Sequence, residues 1–99
     1  MFLHVVEAKY IDNYKIEILF SDGHRGVADL EGSFRGKAFK ALRDLEIFSR
    51  FTVDDEIEKI VWSNGTDFAP EFLYFKAFWD VPELQAQFRA WGYKTEQAA

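Results

Sequence analysis

The chain has no cysteine in its 99 residues. That excludes disulfides, thiol nucleophiles, cysteine-ligated zinc and iron–sulfur clusters together. Small secreted domains often depend on disulfides, so the absence points to a reducing, cytoplasmic compartment. Proline is scarce, with two residues, and nothing in the chain reads as a linker, an internal repeat or a low-complexity tract. No apolar run approaches the ~20 residues that a membrane helix needs. The N-terminus lacks the basic region and long apolar run of a signal peptide. Positive charge is in deficit: 12 Lys and Arg stand against 17 Asp and Glu, a net charge of −5. Such a balance disfavours nonspecific binding to phosphate backbones or anionic lipids, and nucleic acid is not expected as a partner of this chain on its own.

What is present describes one globular domain. Hydrophobic residues make up 48% and charged residues 29% of the chain, a globular rather than a disordered balance. A chain of this size buries roughly 60 to 70% of the surface its unfolded form exposes, enough for one core. Aromatics are abundant, with 11 Phe, 4 Tyr and 3 Trp. Large rings fill a small core efficiently, and most of them are expected there.

Residues 3–11 read as a strand, with Val5 and Val6 at the centre, and Asp12 and Asn13 as a turn. Residues 14–20 are the clearest strand: Tyr14, Ile16, Ile18 and Phe20 fall on one face, Lys15 and Glu17 on the other. Asp22 and Gly23 predict a two-residue hairpin turn, because Asp-Gly takes positive φ cheaply. Residues 25–30 then return as a third, antiparallel strand. A helix is expected from Ser33, as its cap, to about Leu45. Phe34, Ala38, Leu42 and Leu45 recur at helical spacing, Phe39 and Ala41 flank them, and Arg35, Lys37, Lys40, Arg43 and Asp44 cover the remaining surface. Residues 51–54 and 57–62 predict a second antiparallel pair turning near Asp55 and Glu56. Asn64 and Gly65 form a further turn, leaving too few residues for a strand before a helix that opens at Pro70. Glu71 suits the positive end of that helix. Residues 72–79 are apolar nearly all round. Val81 and Pro82 interrupt, with Asp80 and Glu83 resembling a capping pair. A last helix runs over 83–91 with Leu84, Phe88 and Trp91 as its apolar stripe, stopped by Gly92. The end, 95–99, is expected to fray. The fold class is therefore α+β: a three-stranded antiparallel meander, a helix, two further antiparallel strands, a helix and a short C-terminal helix. Residues 1–79 form the main unit, and 80–99 a helical extension of the same globule.

Three stretches carry a resemblance to a known family. They are Leu19-Phe-Ser-Asp-Gly-His24 ahead of Val27-Ala-Asp-Leu30; Phe39-Lys-Ala-Leu-Arg-Asp-Leu-Glu-Ile-Phe48 followed by Phe51-Thr-Val-Asp54; and Ile60-Val-Trp-Ser-Asn-Gly-Thr-Asp-Phe-Ala-Pro-Glu-Phe-Leu-Tyr74. In this order they resemble the prokaryotic family known as domain of unknown function 2442. The family-motif positions are Asp22, Gly23, Trp62, Asn64, Gly65, Asp67, Pro70, Glu71, Leu73 and Tyr74. The resemblance implies the same order of strands and helices and no established activity. Some relatives look like the N-terminal part of longer proteins bearing a helix-turn-helix. Others resemble one member of small two-protein systems of the toxin–antitoxin kind. The residues after Phe75 offer one short helix rather than the pair that a helix-turn-helix requires.

No residue set announces catalysis, a metal or a cofactor. Asp67 and Glu71 are two carboxylates near a turn and a helix start, a pattern open to acid–base work or to a hard cation. The structural reading is stronger: Asp67 binds loop N–H groups, Glu71 favours the helix dipole, and Trp62 and Tyr74 are core rings with polar tips. His24 stands beside Asp22 at a hairpin tip without a nucleophile tied to it by the sequence. His4 and His24 would share a metal only if the first and third strands were neighbours. The acidic run Asp54, Asp55 and Glu56 lacks the oxygen-ligand pattern of a calcium loop. The glycines at 23, 26, 32 and 36 form no phosphate-binding fingerprint.

Phe72, Phe75, Phe78, Trp79, Phe88 and Trp91, with Phe68, are more rings than one short helix pair hides easily. They are the candidate interface for a protein partner or a second copy of the chain. The leading expectation is thus a non-enzymatic protein-interaction module, the antitoxin-like member of a two-protein system. One alternative is a small ligand-binding domain or enzyme using His24, Asp67 and Glu71 in one concave pocket. Another is a transcription-related accessory domain acting through the basic helix between Arg35 and Arg43.

Overall fold

The computed structural model describes residues 3–34 and 36–93. Three strands open the chain, β1 (Val5–Asp12), β2 (Lys15–Phe20) and β3 (Arg25–Asp29), hydrogen-bonded in the order β1-β2-β3 as an antiparallel meander. Ile16, Ile18 and Phe20 are buried while Lys15, Glu17 and Leu19 stay half-covered, so the alternation in β2 does set the inner face. The register continues that face with Tyr10 and Ala28 beside Ile16, and Ala8 and Gly26 beside Ile18. On the outer face Arg25 reaches Glu7 at 3.2 Å and Glu17 at 3.4 Å, spanning all three strands.

The hairpin between β2 and β3 differs from the expected two-residue turn. Gly23 N–H donates to the Phe20 carbonyl at 2.9 Å, and Phe20 N–H to the His24 carbonyl at 2.9 Å. The loop is therefore three residues, 21–23, and only Gly23 carries positive φ, at 89°. A turn followed by a left-handed residue is the common three-residue solution, and it leaves the Asp22 side chain free to fold back over the loop.

The continuous helix expected from Ser33 to about Leu45 is instead three short turns: α1 (Lys37–Lys40), a 3₁₀ turn (Ala41–Arg43) and α2 (Leu45–Phe48). Two residues break it. Gly36 enters with φ 83°, so winding begins only after it, and Ser33 sits in the turn that closes β3, its N–H on the Leu30 carbonyl. Asp44 is extended and its carboxylate accepts the Glu46 N–H at 2.9 Å, which caps a new helix rather than continuing the old one. As a result Leu42 and Phe48 are buried, whereas Leu45 lies exposed beside Ile47. Arg35, the Ala38 side chain and the end at 95–99 lie outside the described residues.

Strands β4 (Thr52–Asp54) and β5 (Lys59–Val61) pair antiparallel, and Asp54 closes their turn by accepting the Glu56 and Ile57 N–H groups. The Glu58 carbonyl takes the Val5 N–H at 3.1 Å, which fastens this hairpin to the start of β1. After the Asn64-Gly65 turn a single bridge joins Val61 to Asp67, more pairing than the short spacing promised. Helix α3 (Pro70–Phe78) then starts with proline in its first turn and Glu71 beside it. It packs across β3 at Gly26, where an added Cβ would stand 2.8 Å from the Phe78 ring and 3.2 Å from the Ala77 Cβ. The chain ends its described part with a 3₁₀ turn (Pro82–Leu84) and α4 (Gln85–Ala90), stopped by Gly92 at φ 90°.

One core unites these pieces, with Phe20, Leu30, Leu42, Phe48, Ile60, Leu73 and Phe88 fully buried. Trp62 satisfies its one donor by giving Nε1–H to the Phe48 carbonyl at 2.8 Å. Among the described residues no helix is long and apolar enough to cross a membrane.

Candidate functional site

The hairpin tip and helix α3 meet through three polar side chains. Asp22 folds over its own loop and accepts the His24 N–H at 2.9 Å, the Asx turn that short acidic residues make readily. Its Oδ2 lies 2.9 Å from His24 Nδ1 and accepts the Tyr74 hydroxyl at 2.8 Å. Tyr74 Oη and His24 Nδ1 are 3.3 Å apart, so the three groups form a closed triangle. Tyr74 gets there because α3 lies on β3. Its ring is buried edge-on against Phe20 at 5.0 Å and touches Phe78 at 4.7 Å, which aims the hydroxyl at the turn.

Electrostatics fixes the protonation of two members. Burial pushes the Tyr74 hydroxyl up, the Asp22 carboxylate adds to it, and the value reaches about 12. Burial alone would raise Asp22 too. The His24 N–H, the His24 ring and the Tyr74 hydroxyl outweigh it and hold that carboxyl below its ordinary value. Near neutrality Tyr74 is therefore a donor and Asp22 an acceptor. A nucleophilic relay needs a group that gives up its proton to the imidazole. Here the Tyr74 hydroxyl donates to Asp22, which also faces the His24 ring, so the triangle ties the hairpin tip to α3 as a latch. His24 is the outward member: its side chain is 68% exposed against 16% for Asp22.

Beside the latch lies a hollow of about 330 Å³ lined by His24, Tyr74, Phe78, Val81, Glu83 and Leu84. Its lining is mostly apolar, with His24, Tyr74 and Glu83 supplying the polar side chains. Trp79, at the end of α3, is 37% exposed, and Asp80 follows it on the surface.

The remaining candidate residues distribute differently from the sequence-based picture. Phe88 is wholly buried, against Phe75 at 5.2 Å and Trp91 at 6.0 Å, and is core. Phe72 stacks on Phe68 at 5.4 Å, and Phe75 on Tyr93 at 5.0 Å, which leaves both half-buried. Phe78 and Trp91 are also half-buried, so Trp79 alone of the six reaches the exposed class. His24, Asp67 and Glu71 do not converge. Glu71 lines a second hollow with His4, Lys59, Pro70 and Trp91, and Asp67 faces Lys59 at 3.8 Å. β2 separates β1 from β3, so the histidines take separate partners: His4 meets Glu58 at 3.4 Å and His24 meets Asp22. Among the described residues no group of three His, Cys, Asp or Glu side chains is placed to hold a metal ion. Of the motif positions, Gly65 closes its turn with N–H on the Trp62 carbonyl, and Leu73 is buried. Sequence reasoning passed over Val81 and Glu83 as site residues and had no signal joining Asp22 to Tyr74, 52 residues apart.

The family described as Protein of unknown function (DUF2442) matches residues 5–78, which takes in the whole latch and stops at the end of α3. No curated protein matches the chain. Among solved structures, it is similar to the crystal structure of "Putative DNA Binding Protein NE0471" from Nitrosomonas europaea ATCC 19718, with a TM-score of 0.72 at 16% identity. The likeness covers 95% of this chain and 64% of that one, so the chain spans under two thirds of that protein's length. At this identity the likeness establishes a shared fold.

Proposed function

The chain belongs to the DUF2442 family, and from that footing and the geometry of the hairpin tip we propose that it is a non-enzymatic protein-interaction module. The observation that carries this reading is the latched hollow. Two family motifs meet there through Asp22, His24 and Tyr74, and what they frame is an apolar recess rather than a reactive group. Apolar recesses with a fixed rim take the anchor side chains of partners. The rim decides the partner's charge. Glu83 lines the recess in a chain of net charge −5, so the occupant is a small basic protein that inserts an apolar side chain. A two-protein system with this chain as its acidic, antitoxin-like member fits that requirement.

The test is purification of tagged chain from its own cells at native level, with the intact complex weighed by mass spectrometry. Wild type, Val81→Glu and His24→Ala are compared, each checked by circular dichroism. A basic protein recovered at fixed stoichiometry with wild type, and lost with both folded variants, supports the reading. A lone monomer, or a complex indifferent to both substitutions, refutes it.

A further inference from the structure

A second surface has a chemistry unlike the rest of the molecule. Residues 32–43 hold four Lys and Arg and no Asp or Glu, while the rest of the chain holds eight against all seventeen acids. The winding of this stretch arranges its cations. In a continuous α-helix, residues six apart stand on different faces, because each residue turns the chain by about 100°. Here α1 passes directly into a 3₁₀ turn, and in 3₁₀ geometry residues three apart eclipse. The period of three is visible in burial. Phe39 and Leu42 turn inward, Phe39 against Phe68 at 4.9 Å, and Lys37, Lys40 and Arg43 stay exposed.

All three cations line one shallow hollow with Phe34 and Gly36. Its floor is firm: Phe34 is buried edge-on against Tyr14 at 5.2 Å and Phe48 at 5.6 Å. Arg43 is held at both ends, its guanidinium donating to the Phe34 carbonyl at 3.3 Å and its own carbonyl accepting the Tyr14 hydroxyl. Among the described residues the ion pairs fall on Arg25, Arg50, Lys59 and the two histidines, and none on Lys37, Lys40 or Arg43. Exposed cations in an acidic protein ordinarily have carboxylates at hand. Glu31 lines the adjoining hollow with Arg43 and the Asp44 carboxylate is committed to its cap, so the three unpaired cations keep a local positive field that an external anion can neutralise.

We propose that Lys37, Lys40 and Arg43 form a track for about three successive phosphate groups. The number follows from the three cations, one phosphate to each, which one α-helical and one 3₁₀ step of three residues spread over about 10 Å. The ligand is a phosphate chain, whether a nucleic-acid backbone or a free oligophosphate. The net charge of −5 opposes any polyanion at long range, while contacts to phosphates weaken as salt rises because the counterions they displace are more abundant, so binding is read across a salt series.

Fluorescence anisotropy with labelled duplex and single-stranded DNA, and calorimetric titration with tripolyphosphate, test the track on the full chain. For duplex DNA the expected slope of log K against log salt is about −2.7, or −0.9 for each of three phosphates, so tenfold more salt weakens binding about 500-fold, and for a single strand it is about −2.1. Lys37→Gln and Lys40→Gln each flatten the slope by about 1, and both side chains are exposed, so the fold survives. DNA binding with these slopes makes the backbone the source. Tripolyphosphate binding alone, lost in the double variant, makes it a free oligophosphate. No saturable binding of any probe at low salt, or binding unchanged in the double variant, overturns the proposal.

Discussion

Replacing Tyr74 by Phe removes one oxygen and keeps the ring, so its effect isolates the latch. The hydroxyl donates to an ionised carboxylate, and hydrogen bonds to charged groups contribute about 1.5–3 kcal/mol. Asp22 keeps its His24 partners, which holds the loss near the middle, about 2 kcal/mol. The upward shift of Tyr74 to about 12 comes first from burial and then from Asp22, so the hydrogen bond accounts for only part of it. In a domain of this size a loss of about 2 kcal/mol is a fall in Tm of about 10 °C or somewhat more. Urea denaturation of wild type, Tyr74→Phe, Asp22→Asn and the double variant gives the coupling, expected at about 1 kcal/mol or more. Acid and alkali supply two further checks. Asp22 is lowered in the folded state, so its share of stability is present above its ordinary value of 3.8 and is lost as pH falls through the lower folded value. Tyr74 is raised, so its share is full below pH 10 and is lost as pH climbs towards 12. The gap between wild type and Tyr74→Phe should therefore narrow at both extremes. A coupling of zero, or a Tyr74→Phe midpoint equal to wild type at pH 7, would refute the latch.

Other substitutions probe the contacts that position it. Gly26→Ala sets a Cβ 2.8 Å from the Phe78 ring and should destabilise by about 1–3 kcal/mol, read as a lower urea midpoint. Phe88→Ala should cost about 3–5 kcal/mol, and Phe88→Glu should unfold the domain by circular dichroism rather than selectively weaken an interface. Asp44→Ala removes the cap of α2 and should cost about 1 kcal/mol in thermal unfolding.

Strand patterning was legible because its cause is local. Side chains alternate along a strand whatever lies above it, so Ile16, Ile18 and Phe20 declare the inner face of β2. Pro70 and Gly92 mark a helix start and a helix stop for equally local reasons, a missing N–H and a free φ. The segment after β3 was misread as one helix because its apolar spacing is compatible with helical periodicity. Gly36 and Asp44 compete with that periodicity through backbone conformation and a side-chain cap, and they prevail.

The sequence by itself determined the class of this protein: an α+β domain without thiol chemistry, with a meander first, aromatic helices last and the motifs of its family in order. Tertiary structure alone decided which aromatics are core, that Tyr74 closes on Asp22 across 52 residues, and that three cations share one face. The reason is the range of the forces. Propensity, capping and alternation act over a few residues and leave their mark in the string. Helix-on-sheet packing depends on where α3 comes to rest against Gly26, a contact between segments that the string keeps far apart.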